Sequence, residues 1–121
     1  MLGLFGLFGR AREIQTLDAA VREEGLHPRL VPDAVKMTVV RLVKGEGLDD
    51  VIPAAPLLAY AMLGPEDHAA AVGEARSAEA RARLEKAIAA ETSLDARLVL
   101  LCLEAGVLHP DVVADYDLER A

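Results

Sequence analysis

The pattern of apolar and polar residues is clearest at 98–103 (LVLLCL), where six successive residues lack a charged or strongly polar side chain. A helix that is apolar on every side has no face to offer water, so such a segment belongs inside a helical bundle. A Thr-Ser pair at 92–93, with Asp95 three residues after the threonine, has capping-box spacing, and Gly106 can close the last turn. We therefore predict a central apolar helix at about 93–105, which at roughly 20 Å is too short to cross a bilayer.

The rest of the chain has apolar residues at the three- and four-residue spacing of amphipathic helices. This spacing predicts helices at about 12–24, 32–44, 50–63, 65–72, 75–91 and 110–116, with a single helical turn at 28–31. Prolines at 53 and 56 leave open a later start of the third helix, nearer residue 54. Glycines and prolines between these ranges supply helix stops and starts. Val39 and Val40 also favour a strand, which leaves a second interpretation open for 32–44. The pattern as a whole predicts an all-α fold, a single-domain bundle of five to seven helices.

Residues 1–9 (MLGLFGLFG) carry no charged side chain and contain the LFG triplet twice. Glycine at every third position makes a free helix costly, so we treat them as an apolar peptide that precedes a helical domain at 10–121. Such a peptide needs cover from its own chain, from a second copy or another protein, or from a membrane. We favour a neighbouring copy, because three glycines let the peptide reach across. The candidate interface residues are Leu2, Leu4, Phe5, Leu7 and Phe8.

Composition limits the classes of partner and the compartment. A net charge of −7 disfavours nucleic acid, which is bound by basic faces, and repels anionic membranes. No apolar stretch is long enough to span a bilayer, and the positive charges follow the apolar start rather than precede it, unlike a secretory signal. The single cysteine, Cys102, excludes an internal disulfide and is interpreted as a small buried hydrophobe. We expect a cytoplasmic protein, and the usage of ten Arg against three Lys with no Asn is typical of a high-GC bacterial genome.

The residues that most often carry catalysis form no recognisable motif. The three histidines, His27, His68 and His109, have no i,i+4 pairing and no HExxH pattern, so we expect neither a metal site nor a cofactor. His27 and His109 each precede a proline and are expected to cap the following turn, whereas His68 is expected to lie exposed. No nucleophile elbow, P-loop or dinucleotide fingerprint is present, and the chain is predicted not to be an enzyme.

One segment is basic within this acidic chain. Residues 27–44 contain Arg29, Lys36, Arg41 and Lys44 against a single acidic residue, Asp33. Cations near a helix start can hold a phosphate or carboxylate, which makes these four a candidate anion-binding set. The alternative is that they pair with acids from other helices.

Three hypotheses for function follow. The preferred one is a small non-catalytic protein that acts through protein–protein contacts, principally self-association through residues 1–9. The second is a helical domain that binds a small anionic ligand beside the basic segment. The third is a peripheral membrane-associated accessory protein that uses the apolar N-terminal peptide.

Overall fold

The computed structural model describes the backbone from Leu2 to Leu118 and the side chains from Arg12 to Leu118. Six α-helices form within this part of the chain: α1 Leu2–Glu23, α2 Asp33–Gly45, α3 Ala55–Val72, α4 Glu74–Ala89, α5 Leu94–Glu104 and α6 Pro110–Asp115. Two short 3-10 turns, Pro28–Leu30 and Ile52–Ala54, precede α2 and α3. The described residues contain no strand, and the helices pack into one bundle. The predicted all-α, single-domain bundle of five to seven helices is confirmed.

The core is centred on the first half of α3. Residues 57–61 (LLAYA) are all buried, and α3 contacts α1, α4, α5 and α6. One face of α4 packs on this core, with Ala80 and Leu84 enclosed. Residues 33–45 form a helix rather than a strand, with Val39 fully buried. None of the helices between Leu2 and Leu118 combines the length and the apolar character that crossing a bilayer requires.

Helix α5 has the predicted bounds but is only partly enclosed. Its N-cap is Ser93, whose Oγ accepts a hydrogen bond from the Ala96 amide at 3.0 Å, so the capping box predicted from Thr92 does not form. Leu98 and Cys102 face the core, whereas the side chain of Leu100 is 50% exposed. The expectation that every side of this helix is enclosed is therefore wrong, because neighbouring helices cover only one of its faces.

Helix α1 begins earlier than the sequence pattern predicts. Its backbone is helical from Leu2, ten residues before the predicted start near Arg12. Adding a residue to an existing helix costs far less than nucleating one, which allows a stable helix to extend through glycines. The helix ends as predicted: Gly25 has a φ of +88°, and the Leu26 amide donates to the Val21 carbonyl at 3.0 Å. The division of the chain after residue 9 stays a prediction.

Helix α3 bends sharply at the predicted Gly64-Pro65 boundary. Gly64 has a φ of +85° and a ψ of 170°, which interrupts the helix. Pro65 has no amide hydrogen, so the Ala61 carbonyl cannot receive its helical bond. The His109 amide, which precedes α6, donates to that carbonyl instead at 2.8 Å. A Cβ at Gly64 would lie 2.7 Å from His109 Nδ1, so this close approach requires glycine.

Candidate functional site

The most chemically distinctive cluster is a buried line of three polar side chains. His68 lies in α3 beyond the bend and is completely enclosed. Its Nε2 is 3.0 Å from Oε1 of Glu24, and its Nδ1 is 3.2 Å from Oγ of Ser77 in α4. Arg76 binds the other carboxylate oxygen of Glu24. The imidazole edge also packs against the ring of Tyr60.

The expectation that His68 lies exposed is wrong. Its neighbours Glu66 and Asp67 are exposed, so the sequence around His68 has the polar character of a helix start. Helical spacing could have indicated the burial of His68. This residue lies on the same helical stripe as Pro65 and Val72, both of which are partly buried. The buried partner Glu24 comes from a segment 44 residues earlier, which local patterns do not identify.

A carboxylate, an imidazole and a hydroxyl in line are the components of a nucleophilic relay. Here the hydroxyl of Ser77 belongs to a residue that is 5% exposed, and Ser77 lines none of the three concavities described below. A nucleophile must reach its substrate, which this hydroxyl does not do. The cluster is therefore a buried hydrogen-bond network that connects the end of α1 with α3 and α4.

The other two histidines act as predicted. His27 Nδ1 accepts a hydrogen bond from the Arg29 amide at 3.1 Å, and His109 Nδ1 accepts one from the Asp111 amide at 3.0 Å. Each ring thereby caps the turn that its following proline opens. Among the described residues, no three His, Cys, Asp or Glu side chains converge in a way that could hold a metal ion.

Two of the four predicted anion-binding residues form ion pairs with acidic residues, and the other two are exposed. Lys36 is buried, and its Nζ lies 3.0 Å from Oδ1 of Asp18. The Nζ of Lys44 lies 2.7 Å from Oε1 of Glu13. Acids of α1 thus neutralise two of the four cations. The other two, Arg29 and Arg41, are exposed, and an anion site at this set stays a prediction.

The pKa values of the Cys102 thiol and the Tyr116 phenol are both raised. Burial raises the pKa of the Cys102 thiol to about 12, which suppresses the thiolate needed for nucleophilic chemistry. Burial also raises the pKa of Tyr116, and its hydrogen bond to the Glu85 carboxylate at 3.0 Å acts in the same direction. Both groups are therefore protonated at neutral pH, and Cys102 is a buried hydrophobe as predicted.

A cavity of about 340 Å³ lies between the end of α2, α4 and α5. Six of its ten lining residues are apolar and four are charged: Val43, Leu48, Asp49, Asp50, Pro53, Ala54, Arg83, Leu94, Asp95 and Leu98. Arg83 holds both carboxylate oxygens of Asp95, at 3.2 and 3.0 Å, and donates to the Pro53 carbonyl at 2.7 Å. None of the four predicted anion-binding residues lines this cavity.

A second, shallower concavity runs between α4 and α5 and is called the α4–α5 groove here. It measures about 250 Å³, and its lining is formed by Ala87, Ile88, Glu91, Ala96, Val99, Leu100, Leu103 and Leu118. Seven of these eight residues are apolar, and the half-exposed Leu100 lies among them. Sequence reasoning missed this groove because it assigned Leu100 to the core.

A third concavity, of about 390 Å³, lies along α1 beside the half-exposed Ile52. Arg12, Gln15, Thr16 and Glu23 give it a polar lining, interrupted by Ala19 and Ala20. The predicted interface residues Leu2, Leu4, Phe5, Leu7 and Phe8 precede this stretch within α1, and their side chains lie outside the described residues.

Comparison of the chain with protein-family models, with curated proteins and with solved structures gives no match.

Proposed function

We propose that this protein is a non-catalytic helical protein that works through protein–protein contact, principally by self-association through residues 1–9. The observation that supports this most is the extent of α1, which is helical from Leu2. In one continuous helix, Phe8 stands four residues and Phe5 seven residues before Arg12, which is the spacing of a single stripe. Arg12 and Ala19, which continue that stripe within the described side chains, are both exposed.

A pair of phenylalanines in an uncharged N-terminal segment favours association. Phenylalanine buries a large and rigid apolar surface, and such residues dominate the energy of many interfaces. The same surface left in water is an aggregation hazard. A second copy of the chain is a partner that is always present at the same concentration, so it can cover residues 1–9 without a further component.

Charge constrains how two copies meet. Each chain carries a net charge of −7, so two copies repel each other at low ionic strength. Residues 1–9 contribute no charged side chain to the interface. We expect association to strengthen as salt is raised, because screening weakens the repulsion and leaves apolar contacts intact.

Removal of residues 1–9 tests the proposal. Light scattering should show a smaller particle for the shortened chain than for the full chain, with little change in thermal stability. The double variant Phe5→Ser, Phe8→Ser should behave in the same way. Leu30→Ser, which changes a side chain that is 64% exposed elsewhere, is the matched control and should keep the full mass.

Two other results would contradict self-association. An unchanged mass with a large fall in melting temperature would show that residues 1–9 cover their own core. Flotation of the full chain, but not of the shortened chain, with liposomes would support the membrane-associated alternative instead. The proposed site of action is the cytoplasm of a bacterial cell.

A second candidate function is small-molecule binding in the cavity between α2, α4 and α5. Its volume of about 340 Å³ lies within the range common for ligand sites, roughly 300–1,000 Å³. Asp49 and Asp50 on its lining are negative in addition to the Arg83–Asp95 pair and favour a ligand with a cationic group, whereas exposed Arg29 and Arg41 favour an anion elsewhere. Thermal-shift titrations with inorganic phosphate and with a hydrophobic amine separate these cases. A shift with phosphate should vanish in the double variant Arg29→Gln, Arg41→Gln, and a shift with the amine should vanish in Asp49→Asn.

A further inference from the structure

We infer that the α4–α5 groove of one copy is the surface that receives residues 1–9 of a second copy. This inference rests on the proposed self-association and names its acceptor. The occupant is the apolar N-terminal segment, and the centre of the acceptor is Leu100, which is 50% exposed in the single chain.

The chemistry of the segment selects this groove among the three concavities. Residues 1–9 carry no charged or hydrogen-bonding side chain, so they offer nothing to pair with polar groups that they would cover. The concavity along α1 and the cavity between α2, α4 and α5 each contain four polar or charged lining residues. Covering those groups without partners costs free energy. The α4–α5 groove contains one charged residue, Glu91, at its lining.

The packing of α1 favours a second copy as the donor. Within the described residues, α1 packs mainly against α2, α3 and the two 3-10 turns. The groove is built by α4, α5 and Leu118 instead. The described part of α1 and the groove therefore pack on different elements, and a neighbouring copy offers residues 1–9 access to the groove.

The area involved is sufficient for a stable dimer. A buried phenylalanine covers about 150–250 Å². In a reciprocal dimer, each copy inserts Phe5 and Phe8 into the groove of the other. The four rings and the surfaces that they cover then remove about 1,200–2,000 Å² from water, which is the size of a standard specific interface.

A complementation experiment tests the pairing of donor and acceptor. The chain without residues 1–9 keeps its groove, and the variant Leu100→Arg keeps its N-terminal segment. Each alone should be monomeric by light scattering, whereas an equimolar mixture should recover dimers held by one of the two reciprocal contacts. Leu30→Arg, an equally drastic change at a more exposed leucine outside the groove, is the control and should remain dimeric.

The outcomes separate this inference from the proposed function. A monomeric shortened chain together with a dimeric Leu100→Arg variant would overturn the groove and leave self-association through residues 1–9 standing. A full chain that is monomeric at all accessible concentrations would overturn both. Two monomeric variants that fail to combine on mixing would overturn the pairing of segment and groove.

A crosslinking measurement on the otherwise unaltered chain avoids reliance on Leu100→Arg. A photoreactive phenylalanine analogue at position 8 is mixed with an isotope-labelled full chain and irradiated. Mass spectrometry should find crosslinks to labelled peptides that contain residues 87–103. Crosslinks confined to the unlabelled chain, or to labelled peptides from α1 or α2, would overturn the inference.

Discussion

The Nε2 atom of His68 lies 3.0 Å from Oε1 of Glu24, and both side chains are buried. An ionised carboxylate can only accept hydrogen bonds, so Nε2 is the donor in this contact. Because 44 residues separate the two, the contact fixes the end of α1 against the second half of α3. The hydrogen bond between Nδ1 of His68 and Oγ of Ser77 extends the same connection to α4.

Replacement of His68 by leucine should therefore destabilise the fold. The change leaves Glu24 and Ser77 buried without their imidazole partner, and each orphaned group costs about 1–3 kcal/mol. Urea unfolding monitored by circular dichroism measures the loss. Ser77→Ala is the milder control, with an expected cost of about 1 kcal/mol. A stability equal to that of the unaltered chain in His68→Leu would show that Arg76 alone satisfies Glu24.

Gly25 and Gly47 allow the cost of a steric clash to be separated from the cost of backbone strain, because both have a left-handed backbone but differ in the space around them. Both have positive φ, at +88° and +76°, so alanine is strained at each by about 1–2 kcal/mol. A Cβ at Gly25 would clash with Cβ of Ala71, whereas one at Gly47 would meet nothing within 4 Å. We expect Gly25→Ala to cost about 1–3 kcal/mol more than Gly47→Ala, because it adds overpacking to strain.

The same unfolding experiment decides between these two positions. Equal losses in the free energy of unfolding would mean that Ala71 moves aside without cost. A gain in stability for Gly25→Ala would place this residue inside a helix and contradict the end of α1.

Leu98 and Leu100 stand two residues apart on α5, and their replacement by alanine should destabilise the fold to very different extents. Leu98 is 1% exposed, so Leu98→Ala should lower the free energy of unfolding by about 2–5 kcal/mol. Leu100→Ala should cost about 1 kcal/mol or less, because half of that side chain is already in water. Both variants are best measured in the chain without residues 1–9, which removes any contribution from association. A larger loss for Leu100 than for Leu98 would reverse the orientation of α5.

Cys102 gives the fold a dependence on alkaline pH. Burial raises its pKa from 9.0 to about 12, so above pH 9 the unfolded chain loses a proton that the folded chain retains. The unfolded state then binds fewer protons, and the free energy of unfolding falls as pH rises from about 9 towards 12. Below pH 9 this contribution is fully present.

The variant Cys102→Ala isolates the contribution of the thiol to alkaline stability. Urea midpoints for the unaltered chain should fall more steeply between pH 9 and 11 than those of Cys102→Ala. In addition, a thiol reagent at pH 8 should react slowly with the folded chain and rapidly in urea. Rapid labelling of the folded chain would contradict the burial of Cys102.

Local signals explain most of what the sequence predicts correctly. Gly25, Ser93 and Gly106 act on helix ends through hydrogen bonds to residues within one turn, so their effect is readable from neighbours in the chain. The histidines before Pro28 and Pro110 belong to the same class. These positions predicted the helix boundaries and hence the fold class.

Long-range packing explains what the sequence misses. An apolar run such as 98–103 indicates that a helix is at least partly buried. Which of its side chains stays exposed, here Leu100, depends on where the other helices end. The pairing of Lys36 with Asp18, and the enclosure of His68, likewise depend on partners from distant segments. Local propensity also underestimates α1, since glycine counts against a helix start without accounting for the helix that follows.

The hydrogen bond from the His109 amide to the Ala61 carbonyl means that the C-terminal region completes the backbone hydrogen bonding of α3. A chain cut after Val107 would keep every residue of α3 and still leave this carbonyl at the bend without its donor. The smallest fragment able to hold the bend therefore extends past His109, although the bend itself lies at Gly64. A synthetic peptide of residues 108–118, supplied separately to such a truncated chain, would provide the donor again and should restore the bend.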